Sequence, residues 1–133
     1  MNITTKDLNR LLGRQAIEKL DAEPKPKGRQ PNKWERLYAD RLRVLVAAGE
    51  IHEFGYETVT LKLANDCRYT PDFWVVLPNG KVEAHEVKGH MRAVARTKLA
   101  VAVKQFRSWL PIYLATRPNG DWKVERLLPE EQP

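Results

Sequence analysis

The chain has 133 residues, 42% of them hydrophobic and 30% charged, which supplies one core of ordinary domain size and little room for a second. No apolar run is long enough to span a membrane, the start Met1–Lys6 lacks an apolar signal core, and the single cysteine, Cys67, excludes an intrachain disulfide, so a cytoplasmic setting is expected. The net charge of +6 and pI near 9.6 favour a polyanionic partner, nucleic acid being the commonest, although many small basic proteins bind nothing specific.

Leu8, Leu11, Leu12, Gln15/Ala16 and Leu20 predict a short amphipathic helix over residues 5–20, weakened by Gly13. Pro24, Pro26, Gly28 and Pro31 then forbid helix. With Lys25, Lys27 and Arg29 this stretch reads either as a solvated linker or as an arm along a phosphate backbone. Residues 1–31 therefore stand apart from a domain over 32–128, and the tail 129–133 is expected to fray.

Trp34, Leu37, Tyr38, Leu42 and Leu45 recur at helical spacing, predicting a helix over 33–48 with Asn32 as its cap and Gly49 as its stop. Residues 51–63 alternate in part and read as one strand, closed by the turn pair Asn65-Asp66. Residues 69–77 and 81–88 form two further strands around Pro78-Asn79-Gly80. A helix over 91–109 carries the stripe Ala95, Leu99, Ala102, Phe106 and Trp109, and strands over 111–116 and 122–127 complete the chain. The fold class is α/β, a mixed central sheet flanked by helices.

The turn at Pro78-Asn79-Gly80 sets the chemistry. A two-residue Asn-Gly turn would place Pro78 where a paired backbone N–H is required, and proline has none. A type I turn centred on Pro78 and Asn79, with Gly80 left-handed, avoids the conflict and pairs Leu77 with Lys81. Counting back, Val76 faces Val82, Trp74 faces Ala84 and Asp72 faces Glu86, with Lys88 on the same face and Thr70 opposite it. The two-residue alternative would put Asp72 and Glu86 on opposite faces. Opposed carboxylates repel, and a divalent cation removes that repulsion. A neighbouring lysine can orient water or stabilise phosphate charge. The plainer alternative is a strand-end salt bridge.

Pro71-Asp72 followed by Glu86-Val87-Lys88 resembles the PD-(D/E)xK nuclease motif, and the order of elements is similar to that superfamily's helix-β-β-β-helix-β, restriction-endonuclease-like core. Asn32–Ala39, Tyr69–Phe73 and His85–Gly89 look like stretches of small phage-encoded nucleases, which are similar to phage endonuclease I and archaeal Holliday-junction resolvases. The resemblance spans roughly residues 32–115. It implies a Mg²⁺- or Mn²⁺-dependent DNA endonuclease selective for branched DNA such as Holliday junctions, acting as a homodimer and encoded by a phage. Asp72 and Glu86 would bind metal with the Val87 carbonyl as a further ligand, and Lys88 would position the attacking water. Glu35 is the matching helical carboxylate. It is also spaced from Asn32 as a capping box, yet shares a helical direction with Tyr38, Ala39, Leu42 and Val46, so both roles stay open.

Arg92, Arg96 and Lys98 on the helix after the motif are candidate phosphate contacts, against the ordinary solvated charged face. Members of the resembled group carry acidic residues near the start of this helix, where this chain has Met91-Arg92-Ala93-Val94. His52, His85, His90 and Cys67 lack zinc spacing, and His85 is expected on the face opposite Glu86. Ser108, the only serine, has no triad context. The alternatives are a nicking or sequence-specific endonuclease, a DNA-binding module without catalysis, and a basic α/β interaction domain with a surface salt bridge.

Overall fold

The computed structural model describes residues 30–64, 66–88 and 93–130. The expected first helix, Lys25, Lys27, Arg29, His90 and Arg92 lie outside the described residues.

Helix α1 (Lys33–Ala47) begins on an Asn32 cap and buries Glu35, Tyr38, Ala39 and Leu42 along one stripe. Strand β1 (Glu53–Tyr56) is followed by two short strands, β2 (Leu61–Lys62) and β3 (Arg68–Tyr69), which pair only with each other. Strands β4 (Phe73–Val76) and β5 (Val82–Val87) form the central hairpin. Helix α2 (Ala93–Phe106) leads to β6 (Ile112–Thr116) and β7 (Lys123–Arg126). The main sheet has the order β1-β4-β5-β6-β7. Only β5 and β6 run parallel, because α2 carries the chain back across the sheet between them.

Strand alternation divides the core into two layers. Phe73, Val75, Val87 and Ala115 meet Tyr38, Ala39 and Leu42 of α1. Val76, Val82, Ala84 and Ile112 meet Leu99, Ala102, Val103 and Phe106 of α2, with Trp74 packed against them. Both faces of the hairpin are thus covered, which holds its register against a one-residue slip.

The turn is the three-residue form. Gly80 N–H donates to Leu77 O at 2.9 Å, Leu77 N–H donates to Lys81 O at 2.8 Å, and Gly80 has φ 85°. Trp74 pairs with Ala84 and Val76 with Val82, as the count from the turn requires.

Two expectations need correcting. Residues 51–63 are not one strand. After β1 the chain reverses at Glu57, which takes a left-handed φ of 48°, so tightly that a Cβ on Gly55 would lie 2.5 Å from Thr58 Cγ2. Val59 and Leu63 are buried, but on either side of a separate two-residue strand. The second helix stops at Phe106, so Trp109 leaves the apolar stripe and is 53% exposed. Among the described residues, no helix is long and apolar enough to cross a membrane.

Candidate metal and active site

The β4–β5 ladder ends at Phe73 opposite His85. One residue further along, side chains replace backbone. Asp72 Oδ2 accepts from Val87 N–H at 2.9 Å, and Asp72 N–H donates to Glu86 Oε1 at 3.3 Å. Asp72 O accepts from Glu57 N–H at 2.9 Å, which ties the β1 reversal to the same point. Pro71, fully buried just before Asp72, has no N–H to extend the ladder.

Glu86 is 7% exposed, and its Oε1 also accepts from the buried Tyr69 hydroxyl. Glu35 is 3% exposed and does two things at once. Its Oε1 accepts from Asn32 N–H at 3.0 Å while Asn32 Oδ1 accepts from Glu35 N–H at 2.9 Å, a complete capping box. Its Oε2 accepts from the Tyr56 hydroxyl at 3.0 Å. The capping and site roles left open by the sequence are therefore geometrically compatible.

Glu35, Glu57 and Asp72 bring one carboxylate oxygen each within 4.8 Å of one another. At such separations two full charges at an effective dielectric near 20 repel by about 3–4 kcal/mol. Burial pushes the Asp72 carboxyl up to about 6; the Val87 N–H opposes that rise, and the Glu35 charge adds to it. Burial also pushes Glu86 well above the usual carboxylate range, with the Asp72 charge adding to it and the Tyr69 hydroxyl opposing it. The Tyr69 hydroxyl is itself pushed upward by burial and then by the Glu86 charge.

In an extended strand the N–H and C=O of one residue point to the same side, so the Val87 carbonyl is directed toward the edge that Asp72 occupies. Lys88 follows at the strand end, exposed, its N–H donating to Ala115 O at 2.9 Å. Alternation along the strand puts its side chain on the Glu86 face. The donor set is all oxygen and rich in carboxylate, the chemistry that hard divalent cations take.

Asp72 meets Glu86, the Val87 N–H and Glu35, while Arg96 and Lys98 lie on α2, exposed and half-buried respectively. Two members of this cluster were not picked out from the sequence. Glu57 reaches it through a left-handed backbone for which glutamate carries no sequence signal. Tyr69 reaches it as the last residue of β3, two before Pro71; its place in the Tyr69–Phe73 stretch was visible, its bond to Glu86 was not. His85 lies on the opposite face as expected, bonded to the Tyr38 hydroxyl at 2.5 Å and to Glu83 Oε1 at 3.0 Å. Compared with known proteins, the chain matches no family model, no curated protein and no solved structure.

Proposed function

We propose that the protein is a metal-dependent DNA endonuclease of the PD-(D/E)xK kind, with a restriction-endonuclease-like core. The observation that carries this reading is the meeting of Asp72 and Glu86 at the open end of the central hairpin, with Glu35 buried beside Asp72. Buried carboxylates without paired cations are costly.

Asp72, Glu86 and the Val87 carbonyl would hold the cation, with Glu35 and Glu57 completing its carboxylate surroundings. A bound Mg²⁺ or Mn²⁺ supplies Lewis acidity to the scissile phosphate and a water of lowered pKa. Lys88 supplies a positive charge at the solvent side, where it orients the attacking water and offsets charge growing on the phosphate. The Tyr69 hydroxyl and Asp72 N–H hold Glu86 in one orientation, and Val87 N–H does the same for Asp72. The positive net charge supplies sequence-independent affinity for the substrate backbone.

Branched DNA, including four-way junctions, is the proposed substrate class. Resolving a junction takes two cuts, so a homodimer accompanies that substrate. The test is cleavage of linear duplex, single-stranded, flap and four-way junction DNA with Mg²⁺, Mn²⁺ or EDTA, beside Asp72→Asn and Lys88→Ala. Metal-dependent cutting lost in both variants is expected. Binding without cutting in either metal would identify a non-catalytic DNA-binding module, and variants that cut as well as the parent chain would remove the assigned site. Sedimentation with and without junction DNA tests the dimer.

A further inference from the structure

An open cleft of about 480 Å³ lies at the other end of the sheet, below the start of β5 and the end of α2. That volume falls within the ordinary range of ligand clefts, about 300–1,000 Å³. Along β5, Val82 at the cleft and Glu86 at the carboxylates are four residue steps apart, roughly 13 Å at about 3.3 Å per residue.

Lys81, Arg107 and Arg126 line this cleft, each exposed and none in an ion pair among the described residues. They come from three separate places: the hairpin turn, the end of α2 and β7. Trp109 lines it too, its ring held edge-on against Phe106 at 5.6 Å and 77° while half of it stays open to solvent. The one lining carboxylate, Glu83, is already hydrogen-bonded to His85 Nε2. A cation at the end of a helix often only offsets the carbonyl dipole there. That accounts for Arg107, but not for Lys81 and Arg126 on other elements, nor for an exposed tryptophan fixed among them. Guanidinium groups beside an open indole face suit an unpaired nucleotide, its base stacked and its phosphates paired.

We propose that this cleft binds an unpaired stretch of the nucleic-acid strand, with a base on Trp109 and neighbouring phosphates on Arg107 and Arg126, Lys81 standing at the rim. The proposal rests on the nuclease reading and refines its substrate: a strand that reaches the cleft extends about 13 Å from the scissile phosphate, or about four phosphates of a stacked strand at ~3.4 Å each.

The test uses the full chain in EDTA and a fluorescein-labelled oligothymidine, with anisotropy read between 50 and 200 mM salt, on the order used for such binding. Trp109→Ala is expected to weaken binding about tenfold and Trp109→Phe to retain most of it. The double variant Arg107→Gln with Arg126→Gln, exposed and charge-neutral, is expected to lower the salt slope by about 1.4, the contribution of two single-strand phosphates. Hydrolysis of bis(p-nitrophenyl) phosphate with Mn²⁺, which needs only the carboxylate site, should be unchanged in all of these and lost in Asp72→Asn. Affinity and slope equal to the parent chain in the Trp109→Ala and double-arginine variants would overturn the cleft, whatever the small diester does. So would a loss of self-association with DNA affinity per protomer unchanged, because the patch would then be a protein interface. Weakened oligothymidine binding in a chain that hydrolyses no diester with any metal would sustain the cleft and remove the catalytic reading instead.

Discussion

Burial raises the proton affinity of both Asp72 and Glu86, and the Asp72 charge raises Glu86 further, whereas the hydrogen bond from Glu86 and the Val87 N–H hold Asp72 down. Asp72 moves from an ordinary 3.8 to about 6 in the folded chain. Between those values the folded state binds more protons than the unfolded one, so the stability contribution is complete below the lower value and is lost as pH rises through the upper. Glu86, also raised by burial, adds to the decline. In EDTA, the urea midpoint should therefore fall from pH 4 toward pH 7, and Asp72→Asn, which cannot ionise, should flatten the decline. Equal slopes in both proteins would mean that Asp72 does not carry this charge. Tyr69 allows a second test. Its hydroxyl stabilises the charged form of Glu86, so Tyr69→Phe leaves a buried acceptor short of a donor at a cost of about 1–3 kcal/mol. The acidic limb of the cleavage–pH profile should move to higher pH, because the Glu86 proton is then harder to remove. A profile that keeps its position while activity falls would indicate loss of packing instead.

At the scale of elements, α1 and the central hairpin do different parts of the work. Helix α1 begins on a capping box whose N3 member, Glu35, also faces the site, so two substitutions separate the roles. Asn32→Ala removes the cap's side-chain acceptor but keeps the backbone N–H that holds Glu35; it should cost about 1 kcal/mol in urea unfolding and leave cleavage of the folded protein nearly intact. Glu35→Gln keeps an acceptor for that N–H but removes the charge; it should cut cleavage at least tenfold with little change in stability. Loss of activity in Asn32→Ala at full folding would tie Glu35's position to the side-chain cap. The hairpin was legible in the sequence because one residue, Pro78, eliminates the competing turn, and register then follows by counting. The reversal at Glu57 was not legible. It depends on a bond from Glu57 N–H to Asp72 O, fifteen residues on, and alternation across 51–63 carries no trace of such a partner. Trp109 misled for a similar reason: it continues the helical spacing, but Trp109 and Leu110 N–H both turn back onto Phe106 O and end the helix.

For the molecule as a whole, the sheet divides two chemistries between its ends: carboxylates where β5 finishes, and cations with an indole where it begins. Charge composition alone could not reveal this division, since +6 is a sum over both ends. It makes metal binding and DNA binding separable. A cation that binds only the folded chain stabilises it by RT ln(1 + [L]/Kd), about 2.7 kcal/mol at a hundredfold excess over Kd. Mn²⁺ or Mg²⁺ should therefore raise the melting temperature at pH 8, where Asp72 is ionised, and much less at pH 5, where a proton competes for it. Asp72→Asn should lose that gain. Duplex DNA binding in EDTA should persist in the same variant, with a steep salt dependence that reflects phosphate contacts made elsewhere on the surface. If EDTA abolished DNA binding as well as the thermal gain, the cation would be bridging protein and phosphate directly, and the two ends of the sheet would not act as independent sites. If neither metal moved the melting temperature at any pH, the carboxylate cluster would have to be held by shared protons alone, and the pH dependence of Asp72→Asn would then be its only measurable signature.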